Sequence, residues 1–339
     1  YMVSVFFAFV RKKSFFSNAT ANSVIRPQYF QVTGFSTMPH AKYYFIFLCF
    51  VYAVTLLGNS FVTLIIYIDR RLHIPKYVAI FSLAVADLGE STALISNLFS
   101  IIVFQTQQIA YGACLANLFF VFFFNSVQSV MLTVLAYDRF VAICFPLRYH
   151  SILTNTSMGI IISAGWVFNF LFMLIGLIFI TRLSFCKSTL IYSYFCDYGP
   201  IVTLACNDRL PTAIMTRLFI VFHLFLPMSV IGLSYACILL ALFKITSWEE
   251  RLKALKTCFS HLFLVSVFYG PLLVTFVAGL FTPFDLNIRI ITTSLSYAIP
   301  AMLNPIVYSL NTVEIKDFYL GSRTHQNSNF LKVKQTSLT

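Results

Sequence analysis

Two groups of ionisable residues stand where a chain of this composition can least tolerate them. Asp138-Arg139 closes an uncharged run of 23 residues, Leu115 to Tyr137. An acid and a base at the mouth of an apolar helix are costly beside lipid and by default mark a functional site. Asp87 and Glu90 are three residues apart in another apolar run, so a helix brings both carboxyls to nearly one face. Asn59, Asn125, Gln128 and Asn304 lie at comparable depth in other runs and extend this into a polar cluster. Two chemistries fit it. One is a site for water or a sodium ion with Asp87 and Glu90 as ligands; the other is a neutral packing network with at least one carboxyl protonated.

The elements that must position these groups follow from composition. Hydrophobic residues make up 59% of the 339 and charged residues 10%, with a mean hydropathy of +0.85. Soluble domains have about 45–50% apolar and about 25% charged residues, so this is a membrane protein. A hydrocarbon core about 30 Å thick needs about 20 apolar residues per helix. Seven segments meet that length: 44–68, 77–102, 114–137, 158–180, 218–243, 257–281 and 290–310. The expected fold is an all-α, seven-transmembrane helix bundle. Its domain is 44–311, with an extracellular amino-terminal tail over 1–43 and a cytoplasmic carboxyl-terminal tail over 312–339. The apolar run Tyr1 to Val10 is too short to span, and Arg11-Lys12-Lys13 after it is on the wrong flank for a signal peptide.

Charge sets the expected orientation. The net charge of +12 comes from basic residues between apolar runs, not from a soluble face with stacking aromatics, which argues against nucleic acid. Loops after the odd spans hold Arg70, Arg71, Lys76, Arg139, Arg148, Lys244, Arg251, Lys253 and Lys256. Those after the even spans hold Arg182, Lys187, Arg209, Arg217 and Arg289. The basic excess puts the odd loops inside and the amino terminus outside, although Arg11, Lys12, Lys13, Arg26 and Lys42 in the tail pull the other way. Asn18-Ala19-Thr20 is then a glycosylation acceptor, whereas Asn155-Thr156-Ser157 faces the cytoplasm. Cys114, Cys186, Cys196 and Cys206 fall on the outer side and can pair in three ways. Cys49, Cys144, Cys237 and Cys258 read as small buried hydrophobes. Pro227, Pro271, Pro300 and Pro305 each remove a backbone donor and are candidate hinges.

At these positions the chain resembles the rhodopsin-like G-protein-coupled receptors. The matching residues are Gly58-Asn59, Leu83 to Asp87, Asp138-Arg139-Phe140, Trp166 and Asn304-Pro305-Ile306-Val307-Tyr308. Finer motifs resemble the odorant-receptor branch: Leu72 to Tyr77, Leu135 to Tyr149, Ser234-Tyr235, Lys253 to Leu262 and Phe268-Tyr269-Gly270. The resemblance implies a Cys114–Cys196 disulfide and a second, Cys186–Cys206, within the long loop. It implies that Asp138 holds Arg139 at rest, and that Arg139 reaches a heterotrimeric G protein, of the stimulatory olfactory type, when the sixth span swings out. Tyr235, Asn304, Pro305 and Tyr308 support that change. Lys76 replaces the usual methionine, Phe140 replaces tyrosine, and Gln128 stands where glutamate is frequent, with Glu90 supplying an acid nearby.

The ligand class is narrowed by what the spans lack. No acid lies between Leu115 and Tyr137, so the counter-ion that amine receptors offer is missing. No lysine lies between Ile290 and Leu310, so retinal has no Schiff-base partner there. Phe122, Asn125, Ser126, Phe219, His223, Tyr269 and Phe276 form a candidate pocket, mostly apolar with few polar groups. A small odorant suits it; the alternative for each residue, His223 above all, is helix packing. The expected protein is thus a multi-pass odorant receptor of the plasma membrane, with no cofactor beyond a candidate sodium ion. The competing class is a cation or proton channel or transporter using Asp87 and Glu90. No nucleophile with its base and no metal-ligand spacing points to an enzyme.

Overall fold

The computed structural model describes residues 24–35, 40–103, 106–186, 188–281 and 285–311. Asn18 and the carboxyl-terminal tail over 312–339 lie outside these residues. Among the described residues, seven helices are long and apolar enough to cross a membrane. They are α1 Ala41–Ile68, α2 Pro75–Val103, α3 Tyr111–Cys144, α4 Asn155–Thr181, α5 Leu210–Leu242, α6 Trp248–Phe281 and α7 Leu286–Asn311.

Each helix overruns its apolar run, for local reasons. Glu249 and Glu250 lie in the first turn of α6, where the helix dipole favours acids. A proline in the first turn starts α5, where its missing N–H costs nothing. At the start of α4, Thr154 Oγ1 accepts from the Ser157 amide at 3.1 Å, and Ser157 Oγ accepts from the Thr154 amide at 2.9 Å. Asn155, the inner sequon residue, donates to the His73 carbonyl at 2.8 Å and fastens α4 to the α1–α2 connection.

The third helix is the axis of the bundle. In its most apolar stretch 67% is buried, against 17% for α4, and it packs on α2, α4, α5 and α6. Val127, Met131, Leu132 and Leu135 supply its core face. Trp166 Nε1 donates to Ser82 Oγ at 2.8 Å and ties α4 to α2.

One end of the bundle carries a sheet and both disulfides. Strand β1 Tyr29–Val32 lies between β2 Gln108–Ala110, antiparallel to it, and β3 Leu190–Ile191, parallel to it. Its alternation buries Phe30 and Val32 and exposes Tyr29 and Gln31, the period of a one-sided strand. Part of the segment read as a tail is therefore the centre of a sheet. Cys114 at the start of α3 is bonded to Cys196, and Cys186 to Cys206, the two pairs that the resemblance implies.

Candidate functional site

The prolines organise the interior, because each leaves the carbonyl four residues earlier without its helical donor. Pro305 does this to Ala301, and Asn59 Nδ2 from α1 donates to that carbonyl at 2.9 Å. Close approach of α1 to α7 requires Gly58: a Cβ there would lie 2.9 Å from Pro305 Cγ. Pro227 does the same to His223, in a π-helical turn, Val221–Phe225, that interrupts α5. Ser129 Oγ from α3 donates to the His223 carbonyl at 2.9 Å. Its one proton being so used, Ser129 accepts from Tyr269 Oη of α6 at 2.8 Å. Ser129 thus joins α3, the irregular turn of α5, and α6.

The polar cluster divides between two helices. Asp87 Oδ2 accepts from Asn304 Nδ2 of α7 at 2.9 Å, and Glu90 Oε2 accepts from Gln128 Nε2 of α3 at 2.7 Å. Both carboxyls are 0% exposed. Asp87 Oδ1, Glu90 Oε1 and Gln128 Oε1 are buried without a hydrogen-bond partner. Such oxygens are satisfied either by a hard cation or by a proton on a carboxyl that then donates, and the residues present offer the oxygen donors for the first as well as the carboxyls for the second. Among the described residues no three His, Cys, Asp or Glu side chains group as a metal site.

Farther from the sheet, Asp138 Oδ1 accepts from Tyr149 Oη at 2.7 Å, while its other oxygen lies 3.8 Å from Arg139 Nη1. The pair is long, and Arg139 Nε is buried without a partner. His261 of α6 faces the Leu132 carbonyl of α3 through Nε2 at 3.1 Å, so Nε2 carries the proton. Its Nδ1 then accepts from Tyr235 Oη of α5 at 2.9 Å. This second joint ties α3, α5 and α6 beside Arg139. Tyr308 Oη is buried and unpartnered.

Near the sheet, a cavity of about 220 Å³ lies between α3, α4, α5 and a short helix, Tyr198–Thr203, in the long loop. Phe119 and Phe122, Phe172 and Met173, and Met215 and Phe219 wall it. Gly176 of α4 opens it further, and Asp197, Tyr198 and Gly199 close the loop side. Asp197 Oδ2 accepts from Arg289 Nη2 of α7 at 3.0 Å. Burial pushes the Asp197 carboxyl up, and the Arg289 guanidinium works against it. Burial pushes the Tyr198 hydroxyl up to about 12.

The candidate pocket residues thus take different places. Phe122 and Phe219 line the cavity, their rings 5.8 Å apart, edge to face. His223 is a strut: Nε2 meets Asn169 Oδ1 of α4 at 2.7 Å, and Nδ1 meets the Phe219 carbonyl at 3.1 Å. Tyr269 is committed to Ser129, and Ser126 donates to the Phe122 carbonyl at 2.6 Å. Asn125 is buried on α3, one turn before Gln128 and Ser129. Phe276 falls in the part of α6 whose side chains are outside the described residues. Sequence reasoning missed Ser129, Asn169, Gly176, Asp197 and the role of His261. For Ser129 a signal existed, since a proline inside a span demands a donor for the carbonyl four residues before it. The partner's identity needed the fold.

The bundle has the rhodopsin fold: squid rhodopsin superposes with a TM-score of 0.65 at 17% identity, over 83% of this chain and 85% of that one. A family model described as olfactory receptor matches residues 48–321. Olfactory receptor-like protein I9 of Rattus norvegicus is 36% identical over 279 residues, 81% of this chain and 87% of that protein. Olfactory receptor 51D1 of Homo sapiens is 36% identical over 313 residues, 88% of this chain and 93% of that protein. The chain belongs to the olfactory receptor family, multi-pass receptors of the plasma membrane rather than enzymes. The channel or transporter reading of Asp87 and Glu90 finds no support in these matches.

Proposed function

We propose that the 220 Å³ cavity is the odorant site and that its occupation drives nucleotide exchange on a stimulatory G protein at the opposite end of the bundle. One observation carries the reading. The cavity wall is in contact with the joint that holds α3, α5 and α6 together: Phe219 stacks on the His223 ring at 4.4 Å, and the His223 carbonyl is the one that Ser129 ties to Tyr269. A ligand pressing on Phe219 shifts the π turn, strains the Ser129–Tyr269 bond and favours release of α6, which Pro271 lets bend. Release of His261 from the Leu132 carbonyl then frees Tyr235 and uncovers Arg139. Such a ligand changes the equilibrium only by its differential affinity for the two arrangements.

In this reading the disulfide end faces outward, Asn18 carries a glycan, and Arg139 faces the cytoplasm. A sodium ion held by Asp87 and Glu90 supplies positive charge to buried carboxylates and stabilises the resting arrangement. Purified receptor in nanodiscs with stimulatory and inhibitory G proteins tests the assignment. Odorant-dependent exchange on the stimulatory protein is the expected result. Exchange confined to the inhibitory one, or ion flux in liposomes without exchange, refutes it.

A further inference from the structure

We infer that this receptor is tuned to compact alcohols or phenols whose hydroxyl donates to Asp197 and whose length is limited at Gly176. The inference rests on the cavity being the odorant site and adds the ligand's chemistry. Size comes from the cavity. An apolar void of about 150 Å³ holds benzene, so by proportion about 220 Å³ holds roughly nine non-hydrogen atoms. The walls, among them Phe119, Phe122, Phe172 and Phe219, offer apolar contact to most of that volume.

Gly176 marks where the space ends. It is buried in the last two turns of α4, yet a Cβ added to it would meet nothing within 4 Å. Of the helical glycines whose surroundings are described, the others either have a neighbour in the way or are not buried. At Gly165, for comparison, a Cβ would come 2.9 Å from Val130 Cγ1, so there glycine serves helix contact. At Gly176 the missing side chain serves no protein neighbour. It leaves room for the ligand.

Asp197 supplies the polar end. The Tyr198 and Thr216 hydroxyls, which also line the cavity, both donate to the Thr212 carbonyl, at 3.3 and 2.9 Å. Asp197 receives Arg289 on one oxygen and the Gly199 amide, at 3.4 Å, on the other, with the Tyr198 amide as a third donor. A carboxylate has about four acceptor positions, so about one remains for a ligand hydroxyl. Arg289 already balances its charge, which disfavours an ammonium ligand beside it and leaves a neutral donor as the fitting partner.

The test is dose–response in a cell reporter assay, with surface labelling of every variant. The probes are para-alkylphenols from methyl to butyl, their methyl ethers, and alkylamines and alkanoic acids of matched length. Wild type should prefer phenols to ethers. Gly176→Ala, whose one added carbon leaves room for about eight atoms, should cost the longest active phenol about tenfold while sparing para-cresol, and Gly176→Leu, whose four added carbons leave room for about five, should lower the response to every phenol. Asp197→Ser keeps a helix-capping side chain and should lower phenol potency about ten- to hundredfold, leaving ethers unchanged. Arg289→Gln, which leaves the carboxylate in place, should gain a response to amines. Preference of wild type for ethers, amines or acids overturns the inference while leaving the cavity assignment intact, as does a uniform loss across lengths in Gly176→Ala. If Phe172→Ala, Phe219→Ala and Gly176→Leu reach the surface and leave every curve unchanged, the cavity assignment itself fails.

Discussion

Asn59 owes its place to Pro305, and a double-mutant cycle measures that debt. Asn59→Leu removes the Nδ2 donor that lies 2.9 Å from the Ala301 carbonyl. The residue is 1% exposed, so no water replaces the donor. Leaving a buried carbonyl unsatisfied costs about 1–3 kcal/mol, and at about 1.4 kcal/mol per tenfold this is roughly fivefold to a hundredfold in the folded ratio. In a Pro305→Ala background the new amide of residue 305 bonds the same carbonyl along the helix, so Asn59→Leu should then cost little. Residues in direct contact are where additivity fails. Thermal or denaturant unfolding of the four purified proteins in one detergent gives the coupling. Equal losses from Asn59→Leu in both backgrounds refute the idea that Asn59 repairs the proline's lost bond.

Three further outcomes follow from the same interior. Gly58→Ala should lower stability, since its Cβ would sit 2.9 Å from Pro305 Cγ, and Pro305→Ala should relieve it; the same unfolding assay checks both. Ser129→Ala, which unties the His223 carbonyl and Tyr269, should raise basal signalling several-fold at unchanged surface level, read by a reporter without odorant. Rising sodium should lower odorant potency in wild type but not in Asp87→Asn; exchange assays in sodium and in a bulky organic cation check this.

The seven spans could be read from the sequence because a bilayer demands a minimum apolar length, and the chain meets it seven times. The helix ends could not. Polar residues past the lipid still close backbone bonds, as Trp248 to Lys256 do in α6. The polar layer was legible as a set of depths, Asn59 with Asp87, Gln128 and Asn304. The division into an Asp87–Asn304 pair and a Glu90–Gln128 pair depends on how α2 is rotated against α3 and α7. Phe122 and Phe219 could be read from the sequence because they lie in the outer halves of the third and fifth spans, in a mostly apolar lining with few polar groups, as a small-molecule pocket has. The cavity reaches α4 instead of centring on Tyr269 because Tyr269 and His223 are consumed by Ser129 and Asn169. A glycine that matters through empty space, as at Gly176, leaves no trace in composition.

The position of β1 bears on how the molecule is made. This strand is synthesised before any span, yet its parallel partner lies about as far along the chain as Thr33 is from the Ile191 carbonyl it donates to, 158 residues later. Four spans must be inserted before the sheet can close. Contacts of such separation form slowly, since a long loop must be closed before they contribute. Until then Phe30 and Val32 have no core to enter, and the segment is open to chaperones, proteases and premature aggregation. Completion of the sheet therefore requires that the first four spans have been inserted. A receptor trapped early in biogenesis should be recognisable by an antibody to residues 28–33 that is selected to read Phe30 and Val32, the face of the strand that the finished molecule buries.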